Sequence, residues 1–369
     1  MKPLLTSLFI GSCLLTHPLS AQEASVMIDM VLQQMDVDED GKIAKSEASG
    51  LMARFFDRND LNSDGMMDRD ELEILGKRLA ARDQQNRNAA ALGPSDEQVL
   101  ATVPNGVKAH LNLAYREGES DRGKLDLFVP EGASDTPRPA VIFVHGGGWR
   151  SGDKRKGTFL NGAIEYAEKG YVTATINYRL TGEAPFPACI EDVKCAVRWL
   201  RYNAGKYKVD ISKIGGYGNS AGAHLVSMLG LAGSDAGLEG DGPYQDESSL
   251  IQAVCASATP TDFSLFGWDP SSDSRWAAPG YEPAKLAKLS SPIHHVSAEA
   301  PPFLLIHGTK DTTVNVRHGD DLAKALKEAG AEDVTYIRIE GAGHGVYGQH
   351  REKTHPAMEA FFERVLKGE

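Results

Sequence analysis

Lys213-Ile214-Gly215-Gly216-Tyr217-Gly218-Asn219-Ser220-Ala221-Gly222-Ala223-His224-Leu225 is the stretch on which the fold turns. Its first five residues read as an apolar strand, and Ala221–Leu231 reads as a helix. Between them the chain must reverse sharply with Ser220 at the apex, and Gly218 and Gly222 keep side-chain bulk away from that turn. The pattern repeats on either side. Leu125–Val129, Ala140–Val144, Val172–Ile176, Ala253–Ala256, Phe303–Ile306 and Thr335–Ile339 read as further strands. Thr158–Glu168, Glu191–Ala204, Gly319–Ala329 and His355–Leu366 read as further helices. Strands alternating with helices predict an α/β chain built on a mostly parallel, doubly wound sheet. The near-continuous apolar strands fit a sheet covered on both faces.

The loops after three of these strands carry chemistry. Gly218-Asn219-Ser220-Ala221-Gly222 matches G-x-S-x-G between strand and helix, which presents a serine hydroxyl at the head of a helix dipole. His145-Gly146-Gly147-Gly148-Trp149 follows the strand at 140–144. Its glycines let backbone N–H groups approach a substrate oxygen, so Gly146, Gly147 and Ala221 are the expected oxyanion donors. A phosphate-binding loop is the alternative, but no P-loop lysine or dinucleotide fingerprint accompanies it. Asp311 follows the strand at 303–306 and His344 follows the last strand. The order Ser220, Asp311, His344 is that of the α/β-hydrolase fold. In such a triad the aspartate holds the histidine tautomer, and the histidine takes the serine proton. Asp262 also follows a strand and is a rival for the acid. His294 and His295 read as loop or core histidines.

The N-terminal part differs in character. The formal net charge is −12, and residues 22–92 hold 15 acidic against 9 basic side chains, about half of the excess. Such a balance disfavours nucleic acid and anionic membranes as partners. Asp36, Asp38, Asp40, Lys42 and Glu47 occupy positions 1, 3, 5, 7 and 12 of an EF-hand-like loop, with Gly41 at position 6. Asp60, Asn62, Asp64, Met66 and Glu71 repeat the set, with Gly65 at position 6. Calcium prefers such oxygen ligands, with a backbone carbonyl supplied at position 7. The loops start 24 residues apart, so one helix at 46–58 must leave the first and enter the second. That spacing resembles short bacterial EF-hand or dockerin-like modules, and suits structural calcium or docking to a partner.

Leu4–Leu15 is an apolar run followed by Pro18-Leu19-Ser20-Ala21, the pattern of a secretory signal. Lipidation at Cys13 is the alternative, and no segment is long and apolar enough to span a membrane. The expected organisation is a signal peptide at 1–21, an EF-hand-like module at 22–85, a linker at 86–106 and a catalytic domain at 107–369, in a secreted or periplasmic protein. Cys189, Cys195 and Cys255 read as semi-buried thiols. On one helix Cys189 and Cys195 would stand ~9 Å apart, beyond disulfide reach.

Taken together, HGGGW at 145–149, DVKCAVRWLR at 192–201, GNSAGAHL at 218–225, Pro260-Thr261-Asp262 and PPFLLIHGTKD at 301–311 resemble the feruloyl/acetyl esterase family related to hormone-sensitive-lipase-type esterases. The resemblance covers residues 107–367. It implies an extracytoplasmic serine carboxylesterase acting on small or polysaccharide-linked acyl and aryl esters, with no cofactor in catalysis. Ala223 stands where many relatives have glycine, and Val314-Asn315 replaces the usual Val-Pro after the acid. In this family substrate choice lies in variable loops, here 233–249 and 264–289, where Phe263, Phe266, Trp268, Trp276 and Tyr281 would line a pocket or pack onto the core. Two other readings stand beside it: a peptidase of the same fold, and a calcium-dependent scaffold with an inactive hydrolase domain.

Overall fold

Ala140, Ile142 and Val144 face one apolar core, while Val141 and Phe143 between them face another. Phe303 and Leu305 divide from Leu304 and Ile306 in the same way. A pleated strand sends successive side chains to opposite faces, so continuous apolar runs mark a sheet buried on both sides. The computed structural model describes residues 28–29, 31–33, 35–38, 40–48, 56, 59–75, 93–118, 120–132, 136–266 and 282–368. The expected signal segment, Cys13, residues 86–92, most of the helix expected at 46–58, and Trp268, Trp276 and Tyr281 lie outside the described residues. The chain divides into two compact units, residues 1–90 and 91–369.

In the first unit, β1 (Ile43–Ala44) pairs antiparallel with β2 (Met66–Met67), Ile43 opposite Met67. Ile28, Ile43, Phe56, Met67 and Leu72 form its small buried core.

The second unit runs α1 (Asp96–Thr102), β3 (Val107–Ala114), β4 (Lys124–Pro130), β5 (Arg138–Val144), α2 (Thr158–Glu168), β6 (Val172–Ile176), α3 (Ala188–Tyr202), β7 (Val209–Asn219), α4 (Ala221–Leu231), β8 (Ala253–Ser257), α5 (Pro283–Ser290), β9 (Phe303–Gly308), α6 (Arg317–Glu328), β10 (Val334–Ile339) and α7 (Arg351–Phe362). The eight strands order as β10-β9-β8-β7-β5-β6-β4-β3. From β6 through β10 the neighbours are parallel, and β4 and β3 add an antiparallel edge. This is the α/β-hydrolase architecture expected from the sequence. Val193 of α3, Leu225 of α4, Leu286 of α5 and Leu322 of α6 cover one face; Val99 of α1, Leu160 of α2 and Phe362 of α7 cover the other. Each fully buried aliphatic or aromatic side chain contributes roughly 1.5–3 kcal/mol by leaving water.

Four expectations change. The linker at 86–106 contains α1, which begins in a capping box: Ser95 Oγ accepts from Gln98 N–H at 3.3 Å and Gln98 Oε1 from Ser95 N–H at 2.9 Å. The polar, Gly-Pro-rich lead-in that suggested a linker is a helix start. The loop expected at 264–289 ends in α5, which begins with proline in its first turn. Strand β3 has no counterpart in the sequence reading, because its half-exposed edge position gives it no apolar run. The three cysteines 189, 195 and 255 are fully buried free thiols, not semi-buried ones.

A buried ion cluster ties the antiparallel edge to this frame. Asp126 on β4 is fully buried; it accepts from Arg155 Nε at 2.5 Å and Asn112 N–H at 2.7 Å, with Lys154 Nζ at 3.2 Å. Arg155 also reaches the Pro94 carbonyl at 3.1 Å and Asp96 at 2.6 Å, which anchors the start of α1. Removing the shared carboxylate leaves buried Lys154 without its ion-pair partner and buried Arg155 with only the half-exposed Asp96. Asp126→Ala is expected to cost about 3–5 kcal/mol in urea unfolding followed by tryptophan fluorescence, since all four tryptophans lie in residues 91–369. A cost below about 1 kcal/mol, the range of exposed ion pairs, would contradict the account.

Candidate active site

Strand β7 delivers Ser220 into α4 with φ 55° and ψ −122°, a left-handed conformation that costs a non-glycine residue about 1–3 kcal/mol. The surroundings enforce it. Ser220 N–H donates to the Ser257 carbonyl at 2.9 Å, and His224 N–H to the Ser220 carbonyl at 3.0 Å. The helix starts so close beneath the sheet that a Cβ on Gly222 would lie 2.0 Å from the Val144 carbonyl oxygen, and one on Gly218 2.3 Å from Gly222. Both glycines of the motif are therefore steric requirements.

Asp311 and His344 arrive on the turns after β9 and β10. A Cβ on Gly308 would meet the Ala342 carbonyl at 2.3 Å, and Lys310 N–H donates to the same carbonyl at 2.9 Å. The two turns are thus locked together. His344 Nδ1 stands 2.8 Å from Asp311 Oδ2, and His344 Nε2 stands 3.0 Å from Ser220 Oγ. The carboxylate can only accept, so Nδ1 carries the proton and Nε2 is left to accept from the serine hydroxyl. Asp311 Oδ1 accepts from Thr313 N–H at 2.8 Å and Val314 N–H at 2.9 Å. Burial pushes the Asp311 carboxyl up, but hydrogen bonds from His307, His344 and Val314 outweigh it and hold the group well below the usual carboxylate range. The acid stays ionised where an esterase would work. His307 was not expected at the site. Its Nε2–H donates to the Val314 carbonyl at 2.9 Å and lies 3.4 Å from Asp311 Oδ2. Only its place four residues before the acid hinted at this.

The glycine loop after β5 lies against the serine: a Cβ on Gly146 would be 3.4 Å from Ser220 Cβ. Gly147 has φ 121°, Gly148 φ 60° and Trp149 φ 57°. Gly147 O accepts from Arg150 N–H and Ser151 N–H, both at 3.1 Å, which closes the loop. The N–H groups of Gly146, Gly147 and Ala221 donate to no group among the described residues. Ala221 opens α4, where helix geometry leaves N–H groups without a partner. His145 is buried and stacks on Tyr178 at 4.3 Å, its Nδ1 against the Gly146 carbonyl at 2.8 Å. Burial pushes its imidazole down to about 4, so it is a neutral support for the loop.

The rival residues stand elsewhere. Asp262 Oδ1 accepts from Ser264 N–H at 2.8 Å and Ser264 Oγ at 2.6 Å, closing a local turn. His295 Nε2 meets the Leu289 carbonyl at 2.9 Å, and His294 is exposed. Phe263 is buried against Trp149, so it packs the core; the Phe266 side chain is outside the described residues.

In the N-terminal unit the two acidic loops match position for position. Asp36 Oδ2 accepts from Gly41 N–H at 2.8 Å, and Asp60 Oδ2 from Gly65 N–H at 2.9 Å. Glu47 reaches back to Val37 N–H at 2.8 Å, and Glu71 to Leu61 N–H at 2.7 Å. Gly41 and Gly65 have φ of 85° and 82°. Oxygens of Asp36, Asp38 and Asp40 come within 4.8 Å of one another. At Asp38 a hydrogen bond from Asp40 N–H pulls the carboxyl down, but desolvation and the Asp40, Glu47 and Asp36 carboxylates together push it up. Those residues fit a hard divalent cation.

Comparison with known proteins follows the same lines. The BD-FAE family profile matches residues 125–326, more than half of the chain. Esterase LipC of Mycobacterium tuberculosis is 28% identical over 257 residues, which are 65% of this chain and 62% of that protein. Esterase LipQ of the same organism is 32% identical over 232 residues, 60% of this chain and 53% of that protein. The chain thus spans less than two thirds of the length of these curated relatives. Among solved structures, a truncated carbohydrate esterase from gut microbiota superposes with TM-score 0.64 at 26% identity, over 74% of this chain and 99% of that one. A thermophilic esterase from the Planctomycetes species Thermogutta terrifontis, solved with propionate bound, superposes with TM-score 0.58 at 27% identity, over 72% of this chain and 94% of that one.

The contact beneath the serine makes a direct test. Gly222→Ala drives a methyl group onto main-chain oxygen, which no side-chain rotation relieves. The expected cost exceeds about 3 kcal/mol, read as a melting point lower by roughly 10 °C or as loss of soluble protein. Gly205→Ala has open space around its Cβ and should melt within about 2 °C of the parent. Equal melting of the two variants would contradict the steric account.

Proposed function

The chain belongs to the BD-FAE family of α/β-hydrolase esterases, and we propose that it is a serine carboxylesterase that cleaves short acyl or aryl esters carried on carbohydrate. The observation that carries this reading is the 3.0 Å approach of Ser220 Oγ to His344 Nε2, at a turn flanked by unpaired N–H donors. His344 Nε2 takes the hydroxyl proton as Ser220 Oγ bonds to the ester carbonyl carbon. The carbonyl oxygen becomes an oxyanion held by the N–H groups of Ala221, Gly146 and Gly147, each worth about 3 kcal/mol. The carbon–alkoxy bond then breaks, and His344 passes its proton to the departing alcohol. Water, deprotonated by His344, attacks the acyl-enzyme and releases the carboxylic acid, which restores Ser220. Asp311 stabilises the imidazolium in both halves.

Carbohydrate as the alcohol partner is supported by the likeness to the gut carbohydrate esterase. A short acyl group is supported by the likeness to the esterase solved with propionate. The apolar run Leu4–Leu15 before Ala21 supports export, with lipidation at Cys13 as the lesser alternative; no helix among the described residues is long and apolar enough to cross a membrane. Asp36, Asp38, Asp40, Glu47 and the Lys42 carbonyl would hold one calcium ion, and Asp60, Asn62, Asp64, Glu71 and the Met66 carbonyl a second. Bound calcium would neutralise the clustered carboxylates and stabilise the small N-terminal unit, which we propose serves to hold the enzyme at polymeric substrate or a docking partner.

Turnover of p-nitrophenyl acetate, a feruloyl ester and a long-chain triglyceride tests the catalytic reading. Ser220→Ala should abolish hydrolysis, and Asp311→Asn should cut kcat by about 10⁴-fold, as loss of the triad acid does in serine proteases. Asp262→Asn should retain most activity, and triglyceride should be the poorest substrate. Near-parental turnover by Ser220→Ala, or a larger loss in Asp262→Asn than in Asp311→Asn, would overturn the assignment.

Calcium is tested separately. Excess chelator should lower the melting transition of residues 22–85, since a ligand of the folded form stabilises by mass action, while most turnover of the small ester remains. Activity that vanished with chelator and returned with calcium would contradict the division of labour between the units.

A further inference from the structure

The glycine loop that carries two oxyanion donors has three consecutive residues, Gly147 to Trp149, with φ between 57° and 121°. Glycine makes that conformation accessible without making it rigid. What holds the loop over the serine is a polar chain that none of the triad residues enters. Trp149 Nε1 lies 3.2 Å from His224 Nδ1, and His224 Nε2 lies 2.7 Å from the Ser290 carbonyl oxygen. An indole N–H can only donate, so Nδ1 accepts, Nε2 carries the proton, and that proton is donated to Ser290. Both ends of the imidazole are used in one tautomer.

His224 joins three parts of the site. It stands one turn after Ser220 on α4, its own N–H bonded to the Ser220 carbonyl. Through Trp149 it reaches the oxyanion loop, whose position is fixed again where Thr181 N–H donates to the Trp149 carbonyl at 2.8 Å. Through Ser290 it caps a carbonyl at the C-terminal end of α5, one of those a helix leaves without an internal partner. Phe263 packs edge-on against His224 at 5.3 Å and tilted against Trp149 at 5.5 Å.

We propose that His224 is a positioning residue for the oxyanion hole: it fixes the Gly146 and Gly147 N–H groups relative to Ser220 by holding Trp149, and it ties that hole to the C-terminal end of α5. The proposal rests on the esterase reading above. His224 is fully buried, and burial pushes its imidazole down to about 4, so the neutral form that the chain of bonds requires is the one present near neutral pH. A loop displaced by even 1 Å would aim its donors away from the developing oxyanion, and misplacements of that size cost roughly 100-fold in rate.

Trp149→Phe removes the N–H and keeps an aromatic ring against Phe263. His224→Leu removes acceptor and donor together. His224→Gln restores both on one side chain. On p-nitrophenyl acetate, Trp149→Phe and His224→Leu are expected to lose about 10- to 100-fold in kcat with KM within roughly three-fold of the parent. Affinity for a trifluoromethyl ketone, whose carbonyl oxygen becomes an oxyanion when Ser220 adds to it, should fall by the same factor as kcat/KM. His224→Gln should recover most of the loss. If His224→Leu fails to fold, Trp149→Phe and His224→Gln carry the test. Variants that melt earlier yet keep parental kcat and inhibitor affinity would overturn the proposal in favour of a packing role. A rise in KM alone would overturn it in favour of direct pocket lining. An inactive parent protein would instead defeat the esterase reading itself, which keeps the two failures apart.

Discussion

The second unit is organised around one close contact, the start of α4 beneath the C-terminal end of β5. Only a glycine at 222 lets the helix pass under the Val144 and His145 carbonyls. Because it does, Ser220 is pushed into a left-handed turn and its hydroxyl stands clear of the sheet. The same approach brings the His145–Trp149 loop against the serine, so the proposed nucleophile and oxyanion donors come from adjacent strand ends. The strain at Ser220 is sustained because β5, β7 and β8 are locked by parallel pairing on both sides of it. A serine in an exposed loop would relax to an ordinary conformation.

The other two residues of the proposed triad depend on sheet order. β9 and β10 lie beyond β8, so Asp311 and His344 must lean back across the top of β8 to meet Ser220. The Gly308–Ala342 contact and the bonds from Thr313 and Val314 to Asp311 fix that direction. Electrostatics then agrees with geometry. Asp311 is kept ionised by hydrogen bonds that outweigh its burial, while at His145 and His224 burial outweighs the hydrogen bonds and keeps the rings neutral. These two buried histidines thus differ in role from His344, which reaches the serine.

Much of this could be read from the chain before any coordinates. Wherever backbone conformation demands a particular residue, the signal is local: glycines at 218 and 222, the triple glycine after His145, glycines 41 and 65 in the acidic loops. The parallel strands were also legible, because burial on both faces keeps them mostly apolar, with only small threonines inside β6. What was missed depends on partners far apart in sequence. Trp149 and His224 are 75 residues apart, His224 and Ser290 66, and no spacing rule joins them. The buried ion pairs Asp126–Arg155, Asp192–Arg179 and Lys194–Glu239 likewise join residues that no spacing rule links. Strand β3 escaped notice because an edge strand shares its burial with solvent, and α1 because its lead-in has the composition of a loop.

The central claim is that one serine, and no other residue, forms the covalent acyl intermediate. The most direct measurement is peptide mapping by mass spectrometry after inactivation of the full chain with phenylmethylsulfonyl fluoride, which sulfonylates an activated serine oxygen with loss of fluoride. The account predicts a single sulfonyl group per chain, located on Ser220, appearing in step with loss of ester hydrolysis. Modification of a different residue in step with inactivation, or complete inactivation with Ser220 unmodified, would contradict it.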